Sequence, residues 1–463
     1  MACKDGMACR DMFFIPLPLW EGLGEGSCFR FPVESDGVIL GRRSHRLRKI
    51  TFPGTKCAGN GKKQRPEMKP LFMPLWSPVR GGAKTGQEET MPLSWIEIDL
   101  GALRHNYFQA RGRMSSDTRV VGVVKSDAYG HGMIPVAREL VACGVHFLAV
   151  SKFWEAMELR DAGIGIPILT LLGLEPPEME EAIRCEIRPA IFRMDHARLL
   201  SRASRRLNLP ARVHLKVDTG MGRLGVPCDE AASFLDELLS LPGIELEGIL
   251  SHFAAADEAD KSYCQCQIDR FQDILRMLSE RGHSLLYAHI ANSAGLLDLP
   301  RAHFELVRPG IMLYGSKPSQ DLSRSAELRP VMSFKTRIIQ LKSVAAGQPI
   351  GYGRTYVAEQ PSRIATLPVG YDDGYPRRLS NRGQVLVRGK RAPIVGRVSM
   401  NMITVDVSRV PEVSEEDEVV LLGAQGEDRI TAEEIAELCG TISYEIYCNL
   451  GHHRFKYFLN GAS

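Results

Sequence analysis

The sequence predicts an α/β protein: a (β/α)₈ TIM-type barrel followed by a mostly β C-terminal domain. Three observations carry that expectation. Eight short apolar runs alternate with amphipathic segments between residues 119 and 311. Polar residues cluster at the ends of those runs, where a barrel places its chemistry. After Pro330 the alternation gives way to strand-like runs separated by Gly, Pro and Asn turns.

The elements follow in chain order. Residues 1–90 hold 15 Lys and Arg against 9 Asp and Glu, many Gly and Pro, and no sustained period of 3.6 or 2. They are expected to be a disordered or mis-annotated extension, with the natural start at Met91. The barrel is assigned to 91–329 and the β-rich domain to 330–463. "SWIEIDL" at 94–100 precedes the barrel and is expected to pair with the second domain. The eight barrel strands are "RVVGVVK", "HFLAVS", "IPILTLL", "IRPAIF", "RVHLKVD", "LEGILSHF", "LLYAHIAN" and "HFELVRPGI". Between them, "EAMELRDAG", "DEAASFLDELLS" and "YCQCQIDRFQDILRMLSERG" carry apolar residues at i, i+3 and i+4. Strand–helix repeats of this kind make a parallel sheet, and eight of them make a closed one. No G-x-G-x-x-G opens the first unit, which argues against an open doubly wound sheet. In the second domain "TAEEIAELCG" reads as a short helix, capped by Thr431 and stopped by Gly440.

Composition narrows the function. The 463 residues are 44% hydrophobic and 24% charged with a net charge of +3. Nothing in that balance calls for nucleic acid or an anionic membrane, and no apolar run approaches the ~20 residues of a spanning helix. The eleven Cys are scattered, so they are expected to be reduced and the compartment cytoplasmic. Cys264 and Cys266 alone make a weak metal signal, and no metal is expected.

The strand ends are chemically distinctive. They offer Lys125 after the first run, Lys216, Asp218 and Arg223 around the fifth, His252 after the sixth, Asn292 and Ser293 after the seventh, and Arg308, Gly310 and Ile311 after the eighth. One such residue is usually a surface residue; eight polar ones on a single rim are not explained by stability. The set suits pyridoxal 5'-phosphate. A desolvated lysine loses its proton more easily and can hold the cofactor covalently. Gly310 lets a backbone N–H approach a phosphate, and Ser293 and Tyr129 can donate to it. Arg223, in the glycine-rich "DTGMGRLG", is placed to meet an anion. The ring nitrogen needs a partner that sets its charge.

From Ser94 to Cys448 the chain resembles the bacterial alanine racemases, a fold-type III pyridoxal-phosphate family. "VVKSDAYGHG", "KVDTGMGRLG", "SHFAAAD", "ANSAG", "RPGIMLYG", "GYGRTY", "LPVGYDDGYPR" and "GRVSMNM" stand in the family's order. The resemblance implies interconversion of L- and D-alanine by two bases, supplying D-alanine for peptidoglycan. It implies that Lys125 bears the cofactor and is one base, and that Tyr352 is the other. Arg223 would contact the cofactor's phenolic oxygen and the substrate carboxylate, which the Met400 backbone would also bind. Arg308 would bond the pyridine nitrogen, with His252 linking it to Tyr352. Tyr129, Ser293, Gly310, Ile311 and Tyr444 would surround the phosphate, and Tyr371 would line the way in. Lys216 matches a lysine that is carbamylated in some members. A homodimer with shared active sites is implied as well. Arg308 can only donate, so a ring nitrogen facing it stays unprotonated, which favours prompt return of the proton over transamination.

Two departures stand out. Asn401 occupies a position where many members have aspartate, which removes a charge near the active-site mouth. The tail "NLGHHRFKYFLNGAS" lacks the family's R-V-P-R-like ending, and His452, His453 and Arg454 are expected at the surface. Rival readings are an amino-acid decarboxylase, which would set a carboxylate against the ring nitrogen; a racemase acting on serine or several amino acids; and a non-catalytic pyridoxal-phosphate protein, which would lack a second domain bearing Tyr352.

Overall fold

In the computed structural model, which describes residues 92–461 apart from Ser325, the first strand belongs to the second domain. This is β1 (Ser94–Asp99). The expectations for residues 1–90 lie outside the described residues. The ring follows: β2 (Arg119–Val123), β3 (Phe147–Val150), β4 (Ile168–Thr170), β5 (Ile187–Ile191), β6 (Ala211–Asp218), β7 (Val226–Pro227), β8 (Ile244–Leu250), β9 (Tyr287–His289) and β10 (Leu306–Val307). The strands pair in parallel in the order β10-β2-β3-β4-β5-β6-β8-β9, with β7 a short branch on β6. The Arg308 N–H donates to Ala291 O at 2.9 Å, so the ends of β9 and β10 meet and the barrel is nearly closed.

Each of the eight apolar runs supplies one ring strand. The reason is burial on both faces: parallel strands lined by side chains within and helices without read as continuous apolar runs. β3 and β5 are buried at every residue. The helices fall between them, for example Phe153–Asp161, Ala231–Ser240 and Ser262–Glu280. In the last of these Cys264 is buried and Cys266 exposed, so the two sulfurs do not converge. Among the described residues no helix is long and apolar enough to cross a membrane.

The second domain contains β11 (Met332–Arg337), β12 (Gln340–Val344), β13 (Pro349–Ile350), β14 (Tyr356–Val357), β15 (Ser362–Leu367), β16 (Gln384–Val387), β17 (Lys390–Pro393), β18 (Ile403–Asp406), β19 (Glu418–Gln425), β20 (Asp428–Ile430) and β21 (Lys456–Leu459). Its main sheet runs β17-β16-β19-β11-β1-β21, and β12-β15-β18 form a smaller one. Helix Ala432–Cys439 starts where Thr431 Oγ1 accepts the Glu434 N–H at 3.1 Å. It ends at Gly440, in the left-handed region at φ 65°.

β1 is antiparallel to β11, with Ile96 opposite Phe334, and parallel to β21, with Ile96 opposite Lys456. This corrects the reading of the tail. His452 and Arg454 are exposed, but His453 is buried at 7% exposure. Its Nδ1 accepts the Phe455 N–H at 3.2 Å, which leaves Nε2–H to donate to Ser94 Oγ at 3.0 Å. Its ring lies 5.2 Å from that of Phe334. The tail looks polar in isolation because its partner strand lies some 360 residues upstream.

Candidate active site

Lys125 opens a turn rather than continuing a strand. Ser126, Asp127, Ala128 and Tyr129 all lie in the left-handed region, at φ 53–55°. A non-glycine residue costs roughly 1–2 kcal/mol there, so the turn must be held from outside. Glu155 does much of this. Its Oε1 accepts the Ser126 N–H at 2.5 Å, while Oε2 takes the N–H groups of Ser151 and Lys152 at 2.8 and 2.9 Å. Asp127 Oδ1 accepts the Met133 N–H at 2.7 Å and Oδ2 pairs with Lys456 at 2.6 Å. Gly130 completes the turn at φ 82°, where a Cβ would lie 2.4 Å from Tyr447 O. The pinned turn directs Lys125 into a cavity of about 510 Å³ at the C-terminal mouth of the barrel. Burial, and then the Arg223 charge, hold its ammonium pKa below the usual lysine value.

Arg308 is buried against the same cavity. Its Nη1 donates to His289 Nδ1 at 2.8 Å and His289 O at 2.9 Å. Its Nη2 donates to Ser251 O at 2.6 Å, and to Ile290 O and His252 Nδ1 at 3.2 Å each. Nε–H has no protein acceptor among the described residues. The guanidinium is therefore clamped on one side and offers one donor. Because Arg308 only donates, His252 Nδ1 accepts and the remaining ring proton of His252 is on Nε2. Burial first, then the Arg308 charge, keep that imidazole neutral.

At another part of the wall, Ser293 Oγ accepts the Gly310 N–H at 2.9 Å, leaving its own O–H to donate. Tyr129 and Tyr444 stand with ring centroids 6.0 Å apart. Burial pushes both phenols well above the usual tyrosine value, so they remain donors. Asn292 lines the cavity, but its Oδ1 caps helix Ser293–Asp298 by accepting the Gly295 N–H at 2.9 Å. Ile311 lines the cavity beside Gly310. A Cβ on Gly310 would come within 2.5 Å of the Tyr129 hydroxyl. Gly310→Ala is therefore expected to displace Tyr129 and weaken cofactor binding by about tenfold or more, the scale of one lost hydrogen bond to a charged group. Fluorescence titration of cofactor-stripped protein measures this; an unchanged affinity would mean that Tyr129 moves aside at no cost.

Asp218 has a structural task. Its carboxylate accepts the N–H groups of Gly220, Met221 and Gly222 at 2.8–3.2 Å, folding the loop that presents Arg223. Gly225 is required there because a Cβ would meet Asp218 N at 2.5 Å. Lys216 is buried in the cavity wall. Burial, followed by the charges of Arg308 and Arg223, brings its pKa down to about 8.

The cavity thus gathers Lys125, Tyr129, Lys216, Arg223, His252, Asn292, Ser293, Arg308, Gly310, Ile311 and Tyr444. Tyr352, Tyr371 and Met400 do not line it. They lie on the second domain, 73%, 43% and 54% exposed. Tyr371 and Met400 are neighbours, since Asp372 N–H donates to Met400 O at 3.0 Å. The Met400 N–H has no acceptor among the described residues. Asn401 is exposed beside them, its Nδ2 3.4 Å from Asp372 Oδ2.

Sequence reasoning missed Glu155, His289 and His214. Glu155 lies inside "EAMELRDAG", read only as a helical segment, and both histidines lie inside runs read only as strands.

The donors facing the cavity fit pyridoxal phosphate. Arg308 Nε–H suits an unprotonated ring nitrogen, the Ser293 and Tyr129 hydroxyls suit a phosphate, and Lys125 supplies an amine. Comparison with known proteins agrees. The family model "Alanine racemase, N-terminal domain" matches residues 98–318, and "Alanine racemase, C-terminal domain" matches 331–458. An alanine racemase of Syntrophobacter fumaroxidans is 69% identical over 81% of this chain and 99% of its own. One from Halothermothrix orenii is 48% identical over 77% and 94%. Among solved structures, alanine racemase of Clostridium difficile 630 superposes with a TM-score of 0.76 at 36% identity, covering 80% of this chain and 97% of that one. The Bacillus anthracis enzyme with bound L-Ala-P gives 0.75 at 36% identity, over 81% and 97%. With the barrel, the second domain and the cavity all accounted for, the chain belongs to the alanine racemase family, the pyridoxal-phosphate-dependent isomerases of alanine.

Proposed function

We propose that this chain racemises alanine with Lys125 and Tyr352 as its two bases, working across two subunits of a homodimer in the cytoplasm. The observation that supports it best is the cavity itself: an amine of lowered basicity, a clamped donor-only arginine and a hydroxyl-lined recess share one wall.

Bound pyridoxal phosphate supplies a conjugated ring that withdraws electrons and makes the substrate Cα–H acidic. The Ser293 and Tyr129 hydroxyls would hold its phosphate, with Gly310 leaving room for it, and Arg308 Nε–H would face its ring nitrogen. Arg223 binds and orients the substrate carboxylate together with the Met400 N–H of the partner subunit. Lys125 Nζ takes or returns the Cα proton on one face. The phenolic oxygen of Tyr352 from the partner subunit does the same on the opposite face. His252 Nε2–H, backed by Arg308, would stabilise the Tyr352 phenolate. Tyr352 is exposed on its own chain and outside its own cavity, which favours a partner's site as its place of work.

Optical rotation of an L-alanine solution incubated with the cofactor-loaded protein should decay to zero. No decay would remove the reading. L-Serine is the second substrate to try: Asn401 puts an amide where many family members carry a charge, and one hydroxymethyl against one methyl shifts selectivity only modestly.

Residues 1–90 are proposed to be dispensable, since both family matches begin at residue 98 or later. A chain beginning at Met91 should bind cofactor and turn over like the full one. Loss of either property would show that the segment contributes to the fold.

A further inference from the structure

Arg308 is a buried cation, and the lysines in the cavity wall that feel its charge, Lys125 and Lys216, are cations too. A buried charge needs compensation. Hydrogen bonds to Ser251 O, His289 O and Ile290 O supply part of it, and a further chain of bonds runs below the cavity, along the barrel interior. Arg308 Nη1 donates to His289 Nδ1 at 2.8 Å. His289 Nε2 is 2.8 Å from His214 Nδ1, and His214 Nε2 is 3.2 Å from Glu247 Oε2. His289 and His214 are fully buried. Glu247 is also held by Arg188 Nε at 3.4 Å.

The direction of every bond in this chain is determined by its ends. Arginine has no acceptor, so His289 Nδ1 must accept, and its proton is on Nε2. That proton is donated to His214 Nδ1, so the His214 proton is on Nε2 as well. Glu247, ionised, can only accept it. Both imidazoles are then neutral and of one tautomer, with an anion at one terminus and a cation at the other. Their pKa values agree in sign: burial holds both histidines below the usual value, and the hydrogen bonds from His214 and Arg188, with the Arg188 charge, outweigh burial to hold Glu247 low.

We propose that His289, His214 and Glu247 are positioning residues for the reaction: a polarised hydrogen-bond relay that fixes Arg308 Nη1 from the far end of the barrel and keeps its Nε–H aimed at the cofactor ring. This rests on reading the cavity as the cofactor site. Bonds in such a chain strengthen one another, so losing the terminal anion should be felt at Arg308.

The experiment labels the histidines of the full chain with ¹⁵N and records long-range ¹H–¹⁵N correlations, with cofactor loaded and with cofactor stripped. His214→Phe, which keeps the ring stacked near Tyr287, serves to assign the signals. The expected result is two neutral imidazoles protonated on Nε2 in both states. In Glu247→Gln, which keeps the shape and removes the charge, the His289 nitrogen pair should move and kcat should fall about tenfold at unchanged cofactor content, on the scale of a lost charge-assisted bond. A wild-type His289 protonated on Nδ1, or cationic, would overturn the proposal. So would a Glu247→Gln protein with wild-type kcat and unmoved His289 signals. The tautomers are read without turnover, so they stand or fall separately from the racemase assay.

Discussion

Lys125→Ala should abolish both the covalent hold on the cofactor and racemisation, with a loss of at least about 10⁴-fold in kcat, because nucleophile and base disappear together. Wild-type protein should be yellow, and borohydride should fix the cofactor to a peptide containing Lys125. The competing amine is Lys216, buried in the same wall and brought down to about 8. Two features favour Lys125. It follows directly on β2, on a turn that Glu155, Asp127 and Gly130 hold in an otherwise costly conformation. Strain of that kind persists only where the surroundings overdetermine it. Lys216, by contrast, lies within β6 with Arg223 and Arg308 close by. A reduced peptide mapping to Lys216 would reverse the assignment.

Tyr352→Phe should slow racemisation by about 10²–10⁴-fold, the usual contribution of a positioned acid–base group, while cofactor binding stays intact. The loss should be one-sided. Exchange of the Cα hydrogen of L-alanine with solvent should fall far more than that of D-alanine, which Lys125 serves. Mixing Lys125→Ala subunits with Tyr352→Phe subunits should restore one working site in each heterodimer, since that site takes Lys125 from one chain and Tyr352 from the other. Equal loss of exchange from both enantiomers would refute the face assignment. No rescue on mixing would mean that Tyr352 works within its own chain.

The parts of this molecule that were legible in sequence are those governed by burial and by strand ends. The eight ring strands read correctly because a parallel barrel leaves each of them little but apolar residues. Lys125, Arg308 and Ser293 stood out because polar residues at the C-terminal rim of such strands have no packing role. The left-handed run from Ser126 to Tyr129 was not legible: nothing in "SDAY" demands it, and Glu155, which holds it, comes from helix Phe153–Asp161, beyond β3. His289 and His214 were hidden for a different reason. A histidine inside a strand reads as a tolerated polar residue until its neighbours are known, and theirs lie on other strands. His453 was misplaced at the surface because the chain offers no local hint that Ser94 is its partner.

The pairing of β1 with β21 has a consequence for synthesis. A ribosome delivers the barrel strands, residues 119–307, well before it delivers Lys456. The barrel's neighbouring strands are short-range in sequence and can assemble while the remainder is still being made. β1 cannot: both its sheet neighbours, β11 and β21, lie downstream of the last barrel strand. Contacts of such long sequence separation form slowly. β1 must therefore wait, unpaired, until β11 has been made, and meanwhile its hydrophobic residues Trp95, Ile96 and Ile98 are a surface in need of a chaperone.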